Sequence, residues 1–66
     1  MTYTVLEFVR NGRRYYYSWK TSVARENVRE MAGPSKLYES GRVFETFDTE
    51  EEAMTCVRRE SDNAGT

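Results

Sequence analysis

The sequence predicts a small α+β domain in which the elements follow the order ββα-ββα. The dipeptide Asn11-Gly12 lies between two runs rich in β-branched and aromatic residues. This arrangement is typical of a two-residue β-hairpin with a type I′ turn. Two later stretches place apolar residues at helical spacing behind residues that cap helices. We therefore expect one antiparallel sheet with both helices packed on one of its faces.

The hairpin turn also predicts the register of the first two strands, 3–9 and 14–19. A two-residue turn pairs Arg10 with Arg13, and directly opposed residues share a face of the sheet. One face carries large apolar side chains and should be the core: Leu6, Phe8, Tyr15, Tyr17 and Trp19. The other face is mixed and should meet solvent or a partner: Tyr3, Val5, Glu7, Val9, Arg14, Tyr16, Ser18 and Lys20. We expect Trp19 to be largely buried against Val28 and Val57.

The first helix is predicted over residues 22–32. Thr21 or Ser22 can cap its N-terminus, while Ala24, Val28, Met31 and Ala32 share one side. Gly33 suits the left-handed position after a helix, and Pro34 prevents continuation.

A second, shorter hairpin is predicted next, with strands over 36–39 and 42–47 and a turn at Ser40-Gly41. A helix over 49–60 should follow, because Asp48 with Glu51, or Thr49 with Glu52, has the spacing of a capping box. Residues 61–66 are small and polar. We expect them to form a flexible tail, so that the folded domain spans residues 1–60.

The repeated ββα order suggests an internal duplication. A shift of 29 residues aligns Gly12 with Gly41 and Val28 with Val57. The other explanation is that any ββα unit needs a glycine at its turn and small apolar residues on its helix. The sequence leaves both explanations open.

Length and composition limit the chemistry that the chain can carry. A domain of 66 residues buries only about 60% of the surface of its unfolded chain. With one cysteine and no histidine, it can form neither an internal disulfide nor a typical zinc site. The lone cysteine, and the lack of a signal peptide or a long apolar run, predict a soluble cytoplasmic protein without a membrane segment. The small core and the open sheet edges also make a homodimer an expectation.

Charge is distributed unevenly along the chain. Residues 1–42 hold eight basic and four acidic residues, whereas residues 43–66 hold two basic and seven acidic ones. The asymmetry indicates either separate basic and acidic surfaces or charges that complement helix ends. For the acidic part, we favour the second explanation.

The residues do not form a recognisable catalytic site. A charge-relay triad needs a base, usually histidine, and the chain has none. Cys56 falls on the apolar side of a predicted helix, and the acidic run Glu50–Glu52 suits a helix N-terminus. The glycines are too scattered to cradle phosphate. We therefore expect a protein that is not an enzyme and needs neither a cofactor nor a metal.

Two binding functions remain. A protein-binding module is favoured by the outer hairpin face, since tyrosine and arginine are enriched at the centres of interfaces. The expected partner-binding residues are Tyr3, Val5, Val9, Arg10, Arg13, Arg14 and Tyr16. The alternative is a nucleic-acid-binding module that uses basic and aromatic residues of the hairpin. The isoelectric point of about 5.4 argues against that alternative.

Two resemblances extend these expectations. The segment Phe47-Asp48-Thr49-Glu50-Glu51-Glu52-Ala53 resembles the Phe-x-Thr-x-x-x-Ala helix entry of integrase arm-binding domains, whose three-stranded sheet is followed by a helix. In size and acidity, the chain also resembles small phage-encoded inhibitors of host enzymes or defence nucleases. That resemblance implies a viral inhibitor or regulator of a larger host protein, acting in the host cytoplasm.

Overall fold

The computed structural model describes residues 1–65, which form an α+β domain in the order ββαβα. The elements are β1 (Tyr3–Arg10), β2 (Arg13–Lys20), α1 (Thr21–Met31), β3 (Ser40–Phe47) and α2 (Glu50–Ala64). The predicted α+β class is confirmed. The predicted strand over 36–39 does not form, so the described chain has three strands where four were expected.

The first hairpin has the predicted turn and register. Asn11 and Gly12 adopt positive φ angles of 53° and 78°, as a type I′ turn requires. Arg10 pairs with Arg13, and the register continues without a shift to Tyr3 opposite Lys20. A local turn signal was sufficient to predict this part of the sheet.

The second predicted hairpin is wrong, because β3 pairs with β1. The strand order is β2-β1-β3, and both neighbours are antiparallel to the central strand. The segment before β3 contributes one isolated bridge, between Ala32 and Tyr38. Pairing β3 with β1 makes β1 the centre of the sheet, where residues 4–8 are all buried. A separate hairpin would have left this apolar strand at an edge.

Gly41 lies in β3 and not in the predicted turn. It pairs with Phe8, and a Cβ atom at this position would lie 2.7 Å from Cδ1 of Phe8 and 3.0 Å from Cγ2 of Val28. Glycine is needed here because neighbouring side chains fill the space above the backbone. Gly12 and Gly41 therefore have different structural roles, and the proposed duplication does not align equivalent turns.

The two helices cover opposite faces of the sheet. The prediction that both pack on one face is therefore wrong. The α1 face consists of buried Leu6, Phe8, Ala24 and Tyr38, with Tyr15, Tyr17, Trp19, Val28, Met31 and Ala32 packed around them. The α2 face consists of buried Val5, Tyr16, Ala53 and Cys56, with Tyr3, Phe44, Phe47, Val57 and Ala64 around them. Both faces of β1 are apolar, so each one requires a cover.

The dimensions agree with a narrow three-layer arrangement. The Cα atoms extend over 32 × 29 × 11 Å. The shortest dimension matches the width of three strands spaced by about 4.8 Å.

Trp19 is only partly buried and belongs to the same cluster as Val28, whereas Val57 lies on the other face. The predicted contact between Trp19 and Val57 is therefore wrong.

The helix ends partly follow the predicted signals. Thr49 caps α2, since its side chain accepts a 3.2 Å hydrogen bond from the Glu52 backbone N–H and donates one of 2.9 Å to the Glu52 carboxylate. α1 has no side-chain cap. The Thr21 hydroxyl instead bonds to those of Thr2 and Thr4, at 2.6 and 2.9 Å.

The helices end close to, but not at, the predicted positions. Gly33 has a φ of 136°, and α1 ends two residues before it. α2 continues to Ala64, so residues 61–64 of the predicted tail are helical, while Thr66 lies outside the described residues. Within residues 1–65, neither helix is long and apolar enough to cross a membrane.

Candidate functional site

The structure divides the predicted partner-binding residues into a covered group and an exposed group. Val5 is fully buried, and Tyr16 is 5% exposed. Tyr3 and Val9 are partly buried, whereas the remaining three are exposed: Arg10, Arg13 and Arg14. The prediction that this hairpin face is open is wrong at Val5 and Tyr16, because both pack under α2.

Glu7, Tyr16 and Arg42 form a polar row across the covered face. Tyr16 and Arg42 are the direct neighbours of Glu7 on β2 and β3. The Tyr16 hydroxyl donates to Glu7 Oε2 at 2.5 Å, and Arg42 Nε donates to Glu7 Oε1 at 2.7 Å. The Arg42 guanidinium also lies 5.3 Å from the centre of the Phe44 ring. Each oxygen of the buried carboxylate thus has a donor.

This row changes the acidity of two of its members. Burial alone would raise the pKa of Glu7, but hydrogen bonds from Tyr16 and Arg42 and the charge of Arg42 bring the pKa below its ordinary value. Burial, followed by the hydrogen bond to Glu7, raises the pKa of Tyr16 to about 12. The pair therefore holds a charged carboxylate against a neutral phenol at neutral pH. Its evident role is to join the three strands.

The exposed arginines lie around the hairpin turn. We define the basic hairpin end as Arg10, Arg13 and Arg14 together with Lys36 from the loop after α1. Arg10 and Arg13 are directly opposed across the two strands. Among residues 1–65, ion pairs form only between Arg42 and Glu7 and between Arg59 and Glu60. The positive charges of the basic hairpin end are thus not neutralised by an ion pair within the described chain.

The loop after α1 brings a positive charge and an apolar side chain to this end. Pro34 and Ser35 form a tight turn, with the Lys36 N–H donating to the Gly33 carbonyl at 3.1 Å. The Lys36 ammonium donates to the Arg29 carbonyl at 2.8 Å, and Leu37 is 55% exposed. Arg10 and Glu39 join the loop around a cleft of about 620 Å³.

An aromatic cluster holds that loop in position. Tyr38 stacks on Phe8 with 4.8 Å between ring centres, and its hydroxyl lies 2.6 Å from that of Tyr17. The Glu39 N–H donates to the Val9 carbonyl at 2.9 Å. Burial, followed by the hydrogen bond with Tyr17, raises the pKa of Tyr38 to about 12. The loop is therefore attached both to the aromatic core and to β1.

A second depression lies beside the outer edge of β2. We define the β2 groove as the depression of about 480 Å³ lined by five consecutive strand residues, Arg13–Tyr17, and by Ser61, Ala64 and Gly65 at the end of α2. Its charged lining residues are Arg13 and Arg14. The groove thus combines a sheet edge, a helix end and positive charge.

Sequence reasoning missed the Glu7 row, the Tyr38 anchor and the β2 groove. All three depend on contacts between residues that are distant in the chain, such as Glu7 with Arg42. One available signal was the composition of β1, Tyr-Thr-Val-Leu-Glu-Phe-Val-Arg. Its apolar residues do not alternate with polar ones, and a near-continuous apolar run is typical of a strand buried on both faces.

Cys56 occupies the buried position that its helical spacing predicted. It is 1% exposed on the α2 face, and burial raises the pKa of its thiol. In the part of the chain that the structure describes, no three metal-binding side chains come close enough together to hold an ion.

Comparison with known proteins yields no relative: no family model, curated protein or solved structure matches this chain.

Proposed function

We propose that this chain is a non-enzymatic protein-binding module that docks its basic hairpin end on an acidic surface of a larger partner. The observation that carries the proposal is the group of three exposed arginines that make no ion pair within residues 1–65. Arginine is prominent among the residues that dominate interface energetics. An acidic partner surface would supply the missing counter-charges.

The surroundings of these arginines suit docking. The type I′ turn and the regular register fix the backbone beneath them, so little backbone freedom is lost on binding. Leu37, 55% exposed beside the cleft, adds an apolar contact to a basic surface. For the partner, we propose a larger cytoplasmic enzyme or defence complex whose activity this small domain inhibits or regulates.

Nucleic acid is the competing ligand, because phosphates also pair with arginines. Binding of single strands depends strongly on aromatic side chains that are free to stack on bases. Here Tyr15, Tyr17 and Trp19 pack around the core beneath α1, and the helices cover both sheet faces. This favours an acidic protein surface over a nucleic acid.

The proposal can be tested by reversing charge at the hairpin turn. The variant Arg10→Glu/Arg13→Glu keeps two like charges opposite each other, so the hairpin should remain folded. The matched control is Arg25→Glu/Arg58→Glu, which changes the net charge equally at exposed helix positions. In a pull-down from a lysate of the cell in which the protein acts, the Arg10→Glu/Arg13→Glu variant should lose the partner and the control variant should keep it. Nuclease treatment of the lysate should not change this result.

Photo-cross-linking locates the contact independently. A cross-linking amino acid at Leu37 should capture the same partner, whereas one at Met54, 47% exposed on α2, should not. Capture that disappears after nuclease treatment would favour the nucleic-acid function. Equal binding by both charge variants, or equal cross-linking from both positions, would contradict the proposed docking surface.

A further inference from the structure

We infer that the β2 groove binds an extended acidic segment of a protein partner as an additional β-strand. This inference rests on the proposed function and adds to it a binding mode and a peptide chemistry. An extended peptide can add to an open sheet edge through main-chain hydrogen bonds, with side-chain contacts setting specificity. The β2 groove provides both parts.

The outer edge of β2 has backbone groups that point away from the sheet. In a two-residue hairpin, the pair that flanks the turn exchanges both of its hydrogen bonds, and bonded and non-bonded pairs alternate from there. Counting from Arg10 and Arg13, the N–H and C=O groups of Arg14, Tyr16 and Ser18 point away from β1. Within residues 1–65, no other element makes a backbone hydrogen bond to these three.

The two edges of the sheet differ in regularity. The pairing of β2 with β1 runs over eight residue pairs without a shift, whereas the register of β3 shifts between Val5 and Leu6. Bulges disturb the ladder and protect edges from further pairing. The groove lies beside the regular edge, which is the better template for a new strand.

The charge of the groove identifies the occupant. Arg13 and Arg14 line it and make no ion pair among the described residues. β2 has no acidic residue, and Lys20 lies at its other end. A second copy of β2 would bring like charges together across the new pair, which is unfavourable. A segment with acidic residues near Arg13 and Arg14 would form ion pairs with these arginines. The groove therefore favours an acidic partner over self-pairing.

The length of the groove sets the size of that segment. Five consecutive strand residues line it, which corresponds to about 16 Å at roughly 3.3 Å per residue. A strand of five to seven residues therefore spans the groove. The two arginines point to opposite faces of the sheet, because they are neighbours in a strand. Adjacent acidic residues in the peptide can thus reach both.

The test uses a synthetic probe. The capped heptapeptide Glu-Glu-Val-Thr-Val-Glu-Glu has acidic pairs at both ends, so its strand direction does not affect the outcome. The matched control, Glu-Glu-Val-Pro-Pro-Glu-Glu, keeps the charge. One of two neighbouring residues always faces β2, so its two prolines remove a donor to the sheet in either register. In NMR titrations of the whole chain, the first peptide should shift the amides of Arg14, Tyr16 and Ser18, slow their hydrogen exchange and bind at least tenfold more tightly than the control.

A second comparison checks that the groove is the site. Arg14→Gln should weaken binding of the first peptide, whereas Arg25→Gln on α1 should not. The inference is overturned if the two peptides bind equally, if neither binds at millimolar concentration, or if the shifts are confined to residues 10–13. If the arginine-dependent partner of the basic hairpin end is still captured in that case, strand addition fails and the proposed function stands.

Discussion

Gly41→Ala tests the packing between β3 and the α1 face. The new Cβ atom would lie 2.7 and 2.8 Å from two carbons of the Phe8 ring, closer than carbon atoms normally approach. The ring has little room to move, since it is fully buried and its centre lies 4.8 Å from that of Tyr38 and 5.8 Å from that of Tyr17. We expect this substitution to destabilise the domain although it adds only one methyl group.

The expected magnitude follows from two opposing contributions. Overpacking a filled core costs roughly 1–3 kcal/mol. Because the new Cβ atom would be too close to two carbons of a ring that cannot move away, we expect a cost in the upper part of this range, about 2–3 kcal/mol. Replacing glycine by alanine within a strand returns about 0.5–1 kcal/mol. The free energy of unfolding should therefore fall by about 1–2.5 kcal/mol. In a domain of this size, that lowers the melting temperature by roughly 4–20 °C.

A double-mutant cycle assigns the loss to the contact with Phe8. Phe8→Leu removes the ring, so adding Gly41→Ala in that background should cost less than about 0.5 kcal/mol. The difference between this cost and the penalty in the wild type is the coupling energy, and it falls within the range measured for residues in contact. Cys56→Ala, on the opposite face, is the control background and should leave the full penalty in place. Urea unfolding monitored by circular dichroism gives the free energy of unfolding of the wild type, the three single mutants and the two double mutants. Equal penalties in the Phe8→Leu and Cys56→Ala backgrounds would refute the packing argument.

Three further predictions concern the polar row, the helix cap and the tryptophan. Because the pKa of Glu7 is lower in the folded protein than its ordinary 4.5, its stabilising contribution is present above that pH and is lost as the pH falls through the folded pKa. Acid titration of stability should show this loss in the wild type and not in Glu7→Gln. Thr49→Ala should lower the free energy of unfolding by about 1 kcal/mol. Asp48→Ala should have little effect, because Thr49 provides the cap. Equal effects of the two substitutions would contradict this assignment. Trp19 emission should shift to longer wavelength on unfolding and should respond to Val28→Ala but not to Val57→Ala, because only Val28 shares its cluster.

The exposure of the candidate site residues could be predicted from the sequence for some of them and not for others. Arg10 and Arg13 follow from the turn alone, because charged residues beside a tight hairpin turn remain exposed in almost any packing. Tyr16 and Val5 could not be assigned in this way. Their exposure depends on whether a helix 34 or more residues later covers their face. Glu7 and Arg42 are 35 residues apart, so their ion pair was also beyond local reasoning.

The amino-acid sequence by itself determined the local elements: the Asn11-Gly12 turn, the register from Arg10 and Arg13 outward, both helices, and the Thr49 cap as one of two alternatives. Each depends on residues only a few positions apart or on a register that a turn imposes. The tertiary structure decided that β3 joins β1, that the helices occupy opposite faces, and that the β2 edge borders a groove. These choices depend on how the apolar area of β1 is best buried. With Leu6 and Phe8 on one side and Val5 on the other, a central strand between two helices buries both faces at once, and only the whole chain can make that arrangement.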